Sequence, residues 1–180
     1  MNWKPHSALS VIGLTLIGAP IYAQAKIYVS VEQAQQLIFP KQSLVKHPII
    51  VTDDVQEQMR AASSVRQTFK GDRIWKTSDG GWFIVDEVVG KHEMITYAIG
   101  ITPSGTVKSI EIMEYVESYG YQVAEASWHN QFSGKRATDV IKLNHDIQNI
   151  AGATLSCKHL TDGVKRVMVM YELALQEKTK

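Results

Sequence analysis

The sequence predicts an α+β fold, in which N-terminal helices and a C-terminal helix pack on an antiparallel sheet. Three observations support this class. Two short runs with apolar residues at helical spacing come first, a stretch rich in β-branched residues and turn signals covers 73–117, and a long amphipathic run follows. Strands and helices that are grouped in separate parts of a chain are typical of α+β architecture.

The first helix has clear start and stop signals. Ser30 and Gln33 have the spacing of a capping box, in which each side chain bonds to the other residue's backbone N–H. The helix is predicted to run from Val31 to Phe39, because Pro40 cannot continue it. Residues 41–52 are predicted to be a connection.

The second helix is predicted from its caps and its apolar face. Asp53 and Asp54 are candidate caps, and the helix is expected to end at about Thr68. The apolar positions share one face of such a helix, and they are Val55, Met59, Ala62 and Val65.

Residues 73–117 predict an antiparallel meander. Ser78-Asp79-Gly80-Gly81 is a strong hairpin signal, and Pro103-Ser104-Gly105 indicates a second turn. The predicted strands on either side of these turns are 74–77, 82–89, 93–102 and 107–117. The alternation of apolar and polar residues is imperfect, but β-branched residues are plentiful. Residues 121–128 are predicted to form a short helix, and 139–143 a last strand.

The C-terminal run is the clearest helix in the sequence. Gly163 lies inside it and costs roughly 1 kcal/mol relative to alanine, so we expect a close packing contact at this glycine. A strand remains an alternative for 167–170. The apolar residues at helical spacing are Leu160, Val164, Val167, Met168, Tyr171 and Leu175.

The N-terminus has the pattern of a secretory signal. Lys4 and His6 precede an uncharged stretch whose apolar centre, 8–19, is too short to span a membrane comfortably. Ala23-Gln24-Ala25 supplies the small residues that signal peptidase requires. We expect 1–25 to be a signal peptide cleaved after Ala25, 26–180 to form a single domain, and the protein to be periplasmic. An uncleaved N-terminal membrane anchor is the alternative.

Composition excludes several classes of function. The chain is 44% hydrophobic and 21% charged with a formal net charge of +1, which gives no electrostatic basis for nucleic-acid binding. The lone cysteine, Cys157, excludes an intrachain disulfide and a cysteine-rich metal site, and we expect it to be buried and inert. The 6 histidines lack metal-ligand spacing, so no metal site is predicted.

The run before the C-terminal helix contains the residues most suited to bind a ligand. Gly152 and Ala153 allow another group to approach the backbone closely, and Thr154 and Ser156 place hydroxyls at the helix start. The first N–H groups of a helix lack intrahelical acceptors and favour a phosphate. Lys158 and Lys165 are candidates to add positive charge. On spacing alone, a purely structural interpretation stays open, in which Ser156 is only an N-cap and Gly152 only a turn.

Three segments resemble motifs of a known family and occur in the same order as in that family. They are Glu117-Ser118-Tyr119-Gly120-Tyr121, Gln131-Phe132-Ser133-Gly134-Lys135 and Ala151-Gly152-Ala153-Thr154-Leu155-Ser156. They are similar to the Glu-Thr-x-Gly-x, Gln-Phe-x-Gly-Lys and Ser/Ala-Gly-Ala-Thr-x-Ser/Thr motifs of the FMN-binding domain family of bacterial extracytoplasmic flavoproteins. Members include the covalently flavinylated subunits of the sodium-pumping NADH:quinone reductase and of the Rnf-type complex. The resemblance covers about 93–170.

The resemblance implies a covalent cofactor. Thr154 would carry FMN as a phosphoester, placed there by a flavin transferase that takes FMN from FAD. The other implied cofactor-binding residues are Gly152, Ala153, Leu155, Ser156, Glu117 and Tyr119. Glu117 is a candidate to hydrogen-bond the ring or ribityl chain. Family sequences often have an acid six positions before the threonine, where this chain has Gln148, and the nearest acid is Asp146.

Aromatic residues near the first segment have two interpretations. Tyr119, Tyr121 and Trp128 are candidates to stack on the flavin ring, but the hydrophobic core is the more frequent place for such residues.

The implied function is electron transfer. We expect a periplasmic electron carrier that exchanges electrons with a membrane-bound donor or acceptor. A sensory or assembly module of a membrane redox system, with noncovalent FMN or none, is the alternative. A stand-alone enzyme ranks last, because the sequence shows no obvious general acid or substrate pocket.

Overall fold

The computed structural model describes residues 27–176. It contains a 6-stranded antiparallel sheet with the strand order β1-β6-β5-β4-β3-β2. The strands are β1 (Ile27–Tyr28), β2 (Leu44–Lys46), β3 (Ile74–Thr77), β4 (Trp82–Val89), β5 (Met94–Ile101) and β6 (Val107–Tyr115). The predicted α+β class and the central meander are therefore confirmed. The predicted signal peptide, 1–25, lies outside the described residues.

Helices cover both faces of this sheet. They are α1 (Val31–Ile38), α2 (Asp53–Ala62), α3 (Ala126–His129) and α4 (Thr154–Met170). Two 3-10 turns flank α3, and a π-helical turn, Tyr171–Leu175, ends α4. None of the helices within 27–176 is long and apolar enough to cross a membrane.

The imperfect alternation in β4 follows from this double cover. Phe83 and Val85 pack with α1 on one face of the sheet, whereas Ile84 and Val88 belong to the larger core beneath α4. Because both faces are buried, apolar residues occupy successive positions instead of alternating with polar ones. All six residues of the predicted apolar stripe on the C-terminal helix are buried in that larger core.

Gly163 confirms the close contact expected inside α4. A Cβ at this position would lie 2.7 Å from the Tyr97 hydroxyl oxygen and 2.8 Å from Val88 Cγ1. The missing side chain lets α4 approach the sheet, which sets the position of the helix start. Residues 167–170 are helical, so the strand alternative for them is wrong.

Several predicted boundaries are wrong. Helix α2 ends at Ala62 instead of Thr68, and Thr52 rather than an aspartate caps it, accepting a bond from the N–H of Val55. Residues 139–143 do not form a strand; the nearest pairing is an isolated bridge between Leu143 and Ile147. The predicted helix 121–128 is divided between a 3-10 turn and α3.

The edge strands β1 and β2 were not predicted. Residues 44–46, inside the predicted connection, pair with β3, and 27–28 pair with β6. Such short strands are formed by their partners and have too few residues to show a local period. The capping box of α1 is confirmed, since Ser30 and Gln33 bond to each other's backbone N–H.

Candidate functional site

The start of α4 has an open N-terminus. Gly152 adopts a left-handed conformation with φ of +83°, and Ala153 occupies the N-cap position. Alanine has no side-chain oxygen to accept bonds from the first helical N–H groups, unlike Ser30 and Thr52, which cap α1 and α2. These N–H groups are therefore suited to an anionic ligand.

Thr154 is the first residue of α4, and its side chain is exposed. Asn149 Nδ2 donates a hydrogen bond to Thr154 Oγ1 over 3.0 Å, which orients the hydroxyl. Ser156 lies in the first helical turn and is buried, with 3% of its surface exposed. The interpretation of Ser156 as an N-cap is therefore wrong, and only Thr154 presents an accessible hydroxyl at the helix start.

A cleft of about 320 Å³ opens beside this residue, and we call it the Thr154 cleft. Its volume lies at the low end of the range for small-ligand sites. The lining residues are Lys91, His92, Glu117, Ser118, Tyr119, Gly152, Ala153, Thr154, Leu155 and Ser156. All the residues named from the sequence as cofactor-binding therefore line one cleft. In the sequence, at least 32 residues separate Glu117 and Tyr119 from the segment 152–156.

Residues 115–120 are packed tightly against the helix start. Gly120 has φ of +84°, and a Cβ there would collide with the Cβ of Ala153. The Tyr115 hydroxyl donates to the carbonyl of Tyr119. Burial raises the pKa of Tyr115, and a hydrogen bond with Ser156 opposes that rise. Residues 115–120 are therefore held against the start of α4 by direct contacts.

Glu117 connects the same segment to the turn between β4 and β5. Its Oε1 accepts hydrogen bonds from the backbone N–H of His92 (2.7 Å) and of Glu93 (3.1 Å). Burial would raise the pKa of Glu117, but bonds from the backbone of Lys91, His92 and Glu93 outweigh burial and lower it. The carboxylate is thus kept ionised beside the cleft.

A sequence model of the FMN-binding domain family matches residues 90–169. This part of the chain belongs to the FMN-binding domain family. The matched span includes every element that lines the Thr154 cleft, and the protein is accordingly FMN-binding. No curated protein matches the chain.

The FMN-binding domain supplies a basic wall that the sequence did not indicate. Lys91 and His92 line the Thr154 cleft from the β4–β5 turn, opposite the helix start. No local pattern marks these two residues, because a lysine and a histidine in a polar turn are unremarkable. The bond between Glu117 and the turn ties them to the segment that lines the other part of the cleft.

Two lysines suggested from the sequence serve elsewhere in the domain. Lys158 Nζ contacts Ser64 Oγ at 2.6 Å and Asp162 at 2.9 Å. Lys165 Nζ donates to the carbonyls of Ala137 and Asp139 over 2.6 and 3.0 Å. Neither residue lines the Thr154 cleft, so the prediction that they add charge there is wrong.

The aromatic residues of the FMN-binding domain divide into two environments. Tyr119 is 76% exposed at the Thr154 cleft and Tyr121 is 51% exposed, so the core interpretation of both residues is wrong. Trp128 is buried in the core, and its Nε1 donates to the carbonyl of Gln148 over 2.7 Å. Tyr119 is therefore the aromatic side chain available to a flavin in this cleft.

Residues 131–135, the second family-like segment, support the loop that leads to Thr154. Gln131 Oε1 accepts from the N–H of Gln148 over 2.8 Å, and Lys135 Nζ lies 2.6 Å from Asp146 Oδ2. The other oxygen of Asp146 accepts from the N–H of Lys142 over 2.7 Å. Burial would raise the pKa of Asp146, but these bonds outweigh burial and lower it.

The side chains of Asp146 and Gln148 therefore differ in their accessibility. Both oxygens of Asp146 are engaged by lysine residues within the domain, whereas Gln148 is exposed and is held through its backbone. The position that often carries an acid in the family is thus open to solvent in this chain, and a neutral amide occupies it.

Proposed function

We propose that this protein is an exported electron carrier in which FMN is bound as a phosphoester to Thr154. The observation that carries the proposal is the exposed Thr154 hydroxyl at an N-terminus without a side-chain cap, beside a cleft that the first family-like segment also lines. The residues present fit FMN, since a phosphate suits the helix start and Tyr119 and Leu155 offer apolar contacts.

The proposed attachment is a group transfer from FAD. A bond forms between Thr154 Oγ1 and the phosphorus of FMN, the phosphoanhydride bond of FAD breaks, AMP leaves, and the hydroxyl proton passes to solvent. Asn149 orients the accepting oxygen, and the first N–H groups of α4 stabilise the charge of the phosphodiester. A flavin transferase is the required partner, because the chain offers an acceptor rather than a catalyst.

The surface position of the cleft supports the electron-carrier role. FMN supplies the redox chemistry when bound, and the protein positions it and adjusts its electrostatic surroundings. FMN bound in a cleft of about 320 Å³ at the surface would be accessible to a membrane-bound donor or acceptor. Covalent attachment keeps the cofactor from being lost outside the cytoplasm.

Intact mass of the protein, produced in a periplasm that contains the transferase, tests the attachment. We expect the mature chain to start at Lys26 and to carry the added mass of one FMN, with flavin fluorescence that survives a denaturing gel. Thr154→Ala should lose both signals, whereas Thr138→Ala, at an exposed loop position, should keep them.

Retention of covalent flavin in Thr154→Ala would disprove the linkage. A yellow protein that releases its FMN on denaturation would instead support noncovalent binding. Reoxidation of the reduced protein by membranes, without turnover of small-molecule substrates, is the result expected of a carrier.

A further inference from the structure

We propose that Glu117 is a positioning residue that holds the β4–β5 turn, so that Lys91 and His92 form a basic wall of the flavin site. The inference rests on FMN binding in the Thr154 cleft, as proposed above. It assigns Glu117 a role different from direct hydrogen bonding to the flavin.

The contacts of Glu117 point into the protein. Its side chain is 7% exposed, and one oxygen accepts from two successive backbone N–H groups, those of His92 and Glu93. The fit is close, because a Cβ added at Gly90 would collide with this same oxygen. The turn is also closed by the N–H of Gly90, which donates to the carbonyl of Glu93 over 2.7 Å.

The location of Glu117 gives these contacts a functional meaning. Three residues after Glu117, Gly120 packs directly on Ala153, next to Thr154. One short segment therefore contacts the helix start on one side and the β4–β5 turn on the other. This arrangement sets the distance across the Thr154 cleft between Thr154 and the basic residues Lys91 and His92.

Positive charge in this position favours the reduced cofactor. Dithionite supplies two electrons and is oxidised to sulfite, and uptake of one proton from solvent leaves the flavin ring with one additional negative charge. With FMN bound in the Thr154 cleft, the ammonium group of Lys91 would stabilise that charge. The Oε1 atom of Glu117 is directed at the backbone N–H groups of the turn, which stabilise its negative charge.

Amide hydrogen exchange of the flavin-free protein tests the positioning step. Glu117→Ala should accelerate exchange at the N–H groups of His92 and Glu93 by about tenfold or more, since each loses a charge-assisted bond. Glu117→Gln retains an acceptor oxygen and should preserve most of the protection. Unchanged exchange in Glu117→Ala would overturn the proposal, whether or not the protein carries flavin.

Redox titration of the flavin-loaded protein tests the electrostatic step. Lys91→Gln should shift the ratio of reduced to oxidised flavin at a fixed potential about three- to tenfold towards the oxidised form. Lys91→Arg should resemble the unmodified protein, and so should Lys41→Gln, an exposed control on the turn after α1.

A double-mutant cycle tests whether the positioning step and the electrostatic step are coupled. In the Glu117→Ala background, Lys91→Gln should have a smaller effect on the ratio, because the turn no longer holds the lysine in place. If Glu117→Ala does not fold, Glu117→Asp, whose side chain is one methylene shorter and withdraws the acceptor from the turn, takes its place in the cycle. An equal effect of Lys91→Gln in both backgrounds, or no effect in loaded protein, would refute the proposal. Absence of FMN from the unmodified protein would instead refute the proposed function.

Discussion

Gly120 and Gly152 both adopt left-handed backbone conformations beside the Thr154 cleft, with φ of +84° and +83°. Their surroundings differ. A Cβ at Gly120 would meet the Cβ of Ala153 and the hydroxyl oxygen of Tyr115, the latter at 2.8 Å, whereas a Cβ at Gly152 would meet no atom within 4 Å. Gly152 is thus required for its backbone conformation, and Gly120 is required for its conformation and its packing.

We expect Gly120→Ala to be more damaging than the same change at Gly134, which has φ of +80° and no neighbour within 4 Å of an added Cβ. Backbone strain should cost roughly 1–2 kcal/mol at either position. The overlap at Gly120 should add about 1–3 kcal/mol. Urea unfolding of the two variants measures the difference, and equal losses would contradict the close contact between 115–120 and α4.

Helix α4 joins the Thr154 cleft to the interior of the protein. Thr154 begins the helix, and three turns later Arg166 is buried with 2% of its surface exposed. The guanidinium bonds to both carboxylate oxygens of Asp86, at 2.6 and 2.9 Å, and the Tyr97 hydroxyl donates to the same carboxylate over 2.7 Å. This pair joins the interior face of α4 to β4.

Loss of this pair should strongly destabilise the protein. Arg166→Ala leaves the Asp86 carboxylate buried without its partner, and we expect a loss of about 3–5 kcal/mol in the free energy of unfolding. Arg60→Ala, at an exposed position on α2, should cost no more than about 0.5 kcal/mol. Chemical denaturation of both variants provides the measurement. Similar small losses would show that the buried pair does not stabilise α4.

At the scale of the whole molecule, contacts near the Thr154 cleft connect the three family-like segments. Glu117 contacts the β4–β5 turn, Gly120 contacts Ala153, and Lys135 pairs with Asp146 in the loop that leads to Thr154. The Lys135 and Asp146 side chains are 19% and 20% exposed, so their interaction is only partly screened by solvent. These contacts join segments that lie far apart in the chain.

The pairing of Asp146 should make stability depend on pH. Its folded-state pKa lies below the ordinary value of 3.8, so the carboxylate contributes stability that is present above pH 3.8 and is lost as the pH falls through the folded pKa. Asp146→Asn should cost about 1–3 kcal/mol at neutral pH. Unfolding measured across the acid range should show this difference shrinking below pH 3.8, and a difference that is constant with pH would argue against the pairing.

Periodicity and turn chemistry alone predict much of this molecule. The four central strands, the capping box of α1, the apolar face of α4 and the close contact at Gly163 are all confirmed. Each of these features is encoded by residues within a few positions of one another, so the local sequence specifies it. The seven residues proposed to bind FMN also lie at one cleft, because the resemblance to family motifs linked separate segments.

Tertiary structure decided what depends on contacts between distant residues. The edge strands β1 and β2 exist only through their pairing, and Arg166 is buried where Asp86 faces it from β4. Tyr119 is exposed at the cleft although its neighbours Tyr115 and Glu117 are buried. The basic wall of the site likewise depends on a bond between Glu117 and a turn 24 or 25 residues earlier. The sequence by itself determined the central strands, the main helices and the position of Thr154 at the start of α4. The packing of those elements decided which side chains surround it, because only chain folding brings charges and hydrogen-bond partners from separate segments within range.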